Sequence, residues 1–165
     1  MRWDELHREP CSLARTLAII GDRWTLLIIR DCFLGVRRFE GFEASLQITR
    51  HVLSDRLRKL VEAGVLARVP YQERPKREEY RLTEMGLDLY PVVLTMLQWG
   101  DKHLADEDGP PIQRVHKTCG QVTTGELVCS ACGDPLEARQ IRILPSAQDA
   151  SPDEARPTPE RAQKR

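Results

Sequence analysis

TRHVLSDRLRKLVEAGVLARVPYQERPKREEYRLT, residues 49–83, is the stretch on which the fold turns. Thr49 is a good helix N-cap, and the helical spacing that follows runs until Gly64 stops it. With Leu53 facing inward, Leu57 and Leu60 fall within about 40° of it at 100° per residue. His51, Ser54, Asp55, Arg58 and Lys59 then take the opposite side, with Arg50 near the N-terminal end. After Gly64 the period shortens to two: VLARVPY alternates apolar and polar residues, QERPKRE is a charged turn bearing a proline, and YRLT returns. That is the pattern of a β-hairpin with a basic tip. A donor-bearing helix followed by such a hairpin is the order of a winged helix, in which the helix enters the major groove and the wing reaches phosphates beside it.

The flanking segments supply the rest of such a domain. Leu13, Leu17 and Ile20, then Trp24, Leu27 and Ile28, recur at three and four residues, which predicts two helices with Asp22 as N-cap of the second. A short third helix fits RFEGFEASL, with Phe39, Phe42 and Leu46 on one face. Thr83 can cap a long helix, EMGLDLYPVVLTMLQWGDKHL, whose apolar stripe includes Leu87, Val93, Leu94, Leu97 and Trp99; Pro91 predicts a kink or a break in it. The fold class expected is mainly α with a small β-hairpin, a winged helix-turn-helix domain, followed by a small zinc-ribbon-like β segment.

The 165 residues balance 25 basic against 25 acidic side chains, so no chain-wide field attracts nucleic acid. The balance hides an asymmetry. Residues 50–81 hold nine basic and five acidic residues, a net +4, whereas residues 105–165 hold eight and ten, a net −2. The candidate DNA contacts are therefore Arg37 and Arg38 at the start of the third helix, Arg50, His51, Ser54 and Arg58 on the fourth, and Arg74, Lys76 and Arg77 on the wing. Contacts of this kind to phosphate make affinity fall steeply with salt. No apolar run is long enough to span a membrane, and MRWDELHREP lacks the apolar core of a signal peptide. A cytoplasmic protein with reduced thiols is the expectation.

The domain boundaries expected are an N-terminal arm at 1–10, the winged helix domain at 11–104, a linker at 105–111 (ADEDGPP), a cysteine-bearing extension at 112–144 and a disordered tail at 145–165, rich in Pro, Ala and charge. Within the extension, His116-x2-Cys119-Gly120 and Cys129-x2-Cys132-Gly133 are two loops of one shape, nine residues apart. Each offers two ligands to one ion, and the glycine permits a tight turn close to sulfur. One His and three Cys complete a tetrahedral zinc site with no open position, which makes its role structural. The competing reading is a cysteine-bearing hairpin without metal.

No constellation for catalysis is present: there is no Gly-rich phosphate loop, nucleophile elbow or carboxylate pair beside a histidine. The expected function is sequence-specific binding of double-stranded DNA by a transcriptional regulator, not an enzyme. The alternative is a protein-interaction module built on a winged helix and zinc ribbon; a protein-binding wing would more often be apolar, whereas RPKR forms this tip.

Taken together, Cys11, GDRWTLLIIRD, RRFEGF, LSDRLRKLVEAGVL and EYRLTEMG occur in an order that resembles the HxlR-type winged helix regulators, distant relatives of the MarR group. The resemblance spans about residues 11–100. It implies a cytoplasmic homodimer on a palindromic operator, usually near its own gene, with pairing through the first helix (Leu13, Leu17) and the long fifth (Leu87–Trp99); repression is the expected outcome because a dimer on a promoter covers it. Two-fold symmetry then sets two half-sites about one turn of DNA apart. Cys11 stands where some members carry a redox-sensing cysteine, and Arg8 or Arg15 could lower its pKa; a capping or packing role is the other reading. Cys32, within an apolar helix, is read as a small core residue. A small-molecule effector is not specified.

Overall fold

The structure, a computed structural model, describes residues 3–144. The tail expected to be disordered, 145–165, lies outside the described residues. Packing divides the chain into two compact units, the first ending at Gly125 and the second beginning at Glu126.

In the first unit the expected elements appear in order. A 3-10 turn, Trp3–Arg8, precedes α1 (Ser12–Ile20), α2 (Arg23–Phe33), α3 (Phe39–Leu46) and α4 (Arg50–Glu62). Then come β1 (Leu66–Gln72), β2 (Arg77–Leu82), α5 (Glu84–Leu87) and α6 (Tyr90–His103). The 3-10 turn packs against α1.

Local chemistry sets each boundary. The Asp22 carboxylate accepts from the N–H groups of Trp24 and Thr25 and so caps α2. Between α3 and α4 the chain reverses through Gln47, held at φ 51°, in the left-handed region. Gly64, at φ 76°, ends α4 and lets the chain turn directly into β1. The helix expected at 84–104 is two helices: Pro91 occupies the first turn of α6, where a missing N–H costs nothing, so the break falls just before it. Thr83 ties the end of the wing to its start. Its hydroxyl donates to the Gly64 carbonyl (2.6 Å) and accepts from the Gly86 N–H (3.1 Å). Gly86 sits so close to the Val65 carbonyl that a Cβ there would collide with it.

The hairpin is antiparallel, with Leu66 opposite Leu82 and Arg68 opposite Tyr80, and a bulge between Pro70 and Gln72. Its turn is shorter than the sequence suggests. Arg77, Glu78 and Glu79 belong to β2, because backbone pairing on an exposed hairpin does not depend on apolar side chains. The tip is therefore Glu73–Lys76, with Arg77 opening the return strand.

The core lies where α2, α3 and α4 meet. Ile28, Ile29, Phe42, Leu53 and Leu57 are fully buried, and Val65 and Leu66 at the base of β1 join them. Phe42 also meets Tyr80 of β2 edge-on, with ring centroids 6.3 Å apart. One aromatic ring thereby links α3 to the wing.

Residues 112–144 form no continuous strand among the described residues; isolated bridges pair Val115 with Val122 and Val128 with Pro135. The boundary expected at 105–111 marks where α6 stops, not where packing ends. Residues 112–125 fold back onto α6: Arg114 pairs with Asp101 at 2.6 Å, and the Gln98 amide donates to the Gly125 carbonyl at 2.6 Å. Gly125 lies against Leu94 with no space for a Cβ. Composition reports where a helix cannot continue, and these contacts depend on side chains of α6 that the extension's own sequence does not reveal.

Replacing Phe42 by Ala removes a fully buried ring and its contact with Tyr80, and should lower unfolding free energy by about 3–5 kcal/mol. Urea denaturation followed by circular dichroism measures this; a loss below about 1 kcal/mol would mean that the ring is not central to the core.

Candidate nucleic-acid interface

The nine residues read from sequence as DNA contacts (Arg37, Arg38, Arg50, His51, Ser54, Arg58, Arg74, Lys76 and Arg77) are all exposed. They fall into two groups with different electrostatics.

The first group surrounds the start of α3 and the wing. The Tyr80 N–H donates to the Arg37 carbonyl at 2.7 Å, joining the loop before α3 to β2. The Arg38 guanidinium lies 4.4 Å above the centre of the Tyr71 ring of β1. Between them opens a cleft of about 950 Å³, with Arg37, Arg38, Tyr71 and Arg77 on its walls and Glu40, Glu78 and Glu79 among its acids. Arg37, Arg38, Arg74 and Arg77 make no ion pair among the described residues, whereas Lys76 reaches Glu78 at 3.0 Å.

The second group is on α4, where the cations are compensated within the chain. Arg50 pairs with Glu43 of α3 at 2.7 Å and covers the Phe39 ring. Arg58 forks between Glu62 (2.7 and 2.8 Å) and Asp55 (2.7 Å). Lys59 reaches Asp55 at 3.0 Å. Hydrogen bonds from Lys59 and then Arg58 hold the Asp55 carboxyl below the ordinary carboxylate range, while Glu62 and Asp55 raise the Arg58 guanidinium further. His51 and Ser54 are exposed on the outer surface near the start of the helix.

Arg56, absent from the expected contacts, has a different part. It donates to both Asp22 oxygens, at 2.9 and 3.2 Å, and to Asp55 at 2.8 Å. Sequence spacing can register the Arg58–Glu62 pair, which is i,i+4, but carries no sign of an Asp22–Arg56 pair across 34 residues.

The cysteines divide by environment. Cys11 is exposed at the N-cap of α1, and its side chain makes no capping bond. Cys32 packs against the core, and burial, reinforced by Asp31, pushes its thiol up to about 12. That agrees with a small core residue. In the extension each candidate ligand loop closes in the same way. The Gly120 N–H donates to the His116 carbonyl and the Gly133 N–H to the Cys129 carbonyl, both at 2.8 Å, with the two glycines at φ 71° and 81°. In the first loop His116 Nδ1 and Cys119 Sγ are 3.4 Å apart. In the second, backbone N–H groups of Ala131 and Cys132 and the Cys132 side chain lower the Cys129 pKa. Among the described residues no three His, Cys, Asp or Glu side chains are gathered into a cage for an ion.

The arrangement of α3, a left-handed turn, α4 and a wing has close counterparts. Residues 19–108 match the HxlR-like helix-turn-helix family. The chain belongs to this family. It is 48% identical over 143 residues to the HTH-type transcriptional regulator Rv3095 of Mycobacterium tuberculosis, covering 86% of this chain and 90% of that one. Among solved structures, PA1607 superposes with a TM-score of 0.75 at 37% identity, covering 84% of this chain and 96% of that one. That share exceeds the matched HxlR-like segment, so the likeness extends into the extension. The redox regulator HypR in its reduced form matches at TM-score 0.53 and 34% identity, over 56% of this chain and 92% of that one. This HxlR-like chain is thus a helix-turn-helix transcriptional regulator by family, and none of its described helices is long and apolar enough to cross a membrane.

The two N-terminal cysteines should differ in reactivity. With iodoacetamide at pH 8, peptide mass spectrometry should find Cys11 labelled while Cys32, neutral below about pH 12 and packed against the core, stays unmodified in the folded protein. Equal labelling of both would contradict the burial of Cys32.

Proposed function

We propose that this protein is a homodimeric repressor that binds a palindromic operator through α4, with the wing and the start of α3 on flanking phosphates. The observation carrying this is the placement of cations. Arg37, Arg38, Arg74 and Arg77 are exposed and without acidic partners among the described residues, on the side of the domain where a winged helix meets DNA. A wing for docking protein would carry apolar residues, and Glu73–Lys76 has none that are large. The activity is binding, without catalysis, in the cytoplasm.

Dimerisation through α1 and α6 is supported by what those helices expose. Leu13 is 67% accessible and Trp99 is 59% accessible, and Leu17, Val92 and Met96 are also exposed. Such a set is hard to reconcile with a monomer, because a single chain gains nothing from leaving apolar rows in water. Redox control through Cys11 fits its exposure and the family likeness to HypR, a redox regulator.

The extension is proposed to hold one structural zinc ion through His116, Cys119, Cys129 and Cys132. Support comes from each loop separately. Donor atoms on one tetrahedral zinc stand about 3.5 Å apart, close to the His116–Cys119 separation of 3.4 Å, and both glycines have the left-handed backbone such turns need. The ion would supply folding free energy to a segment with almost no core.

Fluorescence anisotropy against the duplex upstream of its own gene and a scrambled duplex, across a salt series, tests DNA recognition. The upstream duplex should be preferred, with a steep salt slope, and Arg77→Ala should weaken binding about threefold and reduce that slope by about one. Equal weak binding to both duplexes would count against the proposal. Native mass spectrometry should find one zinc per chain, lost in Cys132→Ser; metal-free fresh protein would remove the zinc reading.

A further inference from the structure

The outer ridge of α4 is His51, Asp55, Arg58 and Glu62, which fall within about 60° of one another around the helix axis. It carries one cation against two carboxylates. Every cation of α4 has a carboxylate within the chain: Glu43 for Arg50, Asp22 and Asp55 for Arg56, Asp55 and Glu62 for Arg58, and Asp55 for Lys59. The cations of the helix that enters the groove are therefore already engaged within the chain, while Arg37, Arg38, Arg74 and Arg77 make no ion pair among the described residues.

From this we infer that Asp55 and Glu62 are specificity-determining residues, which hold Arg58 as a preformed fork and suppress binding to arbitrary DNA; the inference rests on the DNA-binding reading above. A phosphate that draws Arg58 away must do so against three short hydrogen bonds, and it leaves two carboxylates facing the backbone. A base edge with two acceptors in line, as guanine offers in the major groove, can replace the fork with an equivalent one. At a wrong sequence no base edge presents that acceptor pair to Arg58, and leaving its carboxylates gains only phosphate contacts, which every duplex offers. The carboxylates then act against the competitor, and the affinity lost on all DNA is recovered only on the matching site.

The test is Glu62→Gln, an exposed and nearly isosteric change near the end of α4, measured by anisotropy on the scrambled and the upstream duplexes across salt. Affinity for the scrambled duplex should rise about three- to tenfold, with a salt slope steeper by up to about one, because Arg58 loses two of its three carboxylate hydrogen bonds and keeps only the one to Asp55. Binding to the upstream duplex should change less, so the ratio between the two falls. The double variant Glu62→Gln/Arg58→Gln should return the scrambled-duplex slope to that of the unmodified protein. If Glu62→Gln leaves both slope and ratio unchanged while the unmodified protein discriminates between duplexes, the inference is wrong and the DNA-binding reading stands. If neither protein binds either duplex at low salt, both fall together.

Discussion

The carboxylate of Asp22 holds the proposed DNA-binding surface together. It caps α2 through two backbone N–H groups and accepts from two of the three guanidinium nitrogens of Arg56, a residue of α4. The cap alone is worth about 1 kcal/mol, but the geometric consequence is larger. Two helices that share the buried cluster of Ile28, Ile29, Leu53 and Leu57 are thereby also tied at their surface, which fixes the direction of the outer ridge of α4. Because Gly64 and Val65 follow α4 at once, and Thr83 brings β2 back to the same point, the wing inherits that direction. Arg56 continues to Asp55, so the brace between α2 and α4 leads straight into the carboxylates that govern Arg58.

Periodicity carried most of the fold. Leu53, Leu57 and Leu60 announce the buried face of α4, and Asp22, Thr49 and Thr83 announce three caps, all of which the structure contains. These are short-range signals, with cause and effect within one or two turns of chain. What escaped the sequence is long-range. The Asp22–Arg56 pair, the stacking of Arg38 on Tyr71 and the docking of residues 112–125 on α6 join segments whose proximity only the folded chain creates. Charge alone makes the wing turn look wider than it is, although exposed strands carry Arg77 and Glu78 without difficulty. For the interface, the basic residues were legible as a set. Their division into compensated cations on α4 and uncompensated ones around the wing was not, since net charge counts residues and not partners.

The extension illustrates how an accessory segment can be joined to a small regulatory domain. The residues flanking its first loop are fastened to α6 by the Arg114–Asp101 ion pair, both side chains under 20% exposed, and by Gly125, whose bare Cα faces the Leu94 side chain. The same helix presents Trp99 and Met96 to solvent elsewhere on its surface. In the second unit the Cys129–Cys132 loop repeats the hydrogen bonding of the first, as the Cys129–Gly133 bond matches the His116–Gly120 bond. Repetition of a backbone device around paired ligand residues reflects a shared local requirement: a carbonyl and a left-handed glycine that turn the chain around two donor atoms.

The central claim is that α4, the start of α3 and the wing form one DNA-binding surface. Hydrogen–deuterium exchange of the full chain, with and without the duplex from upstream of its gene, tests it most directly. The account predicts slower exchange in peptides covering 36–42, 49–56 and 71–79, with α6 unaffected by DNA. Protection confined to 112–136, or absent from α4 and the wing while the duplex is bound, would contradict it.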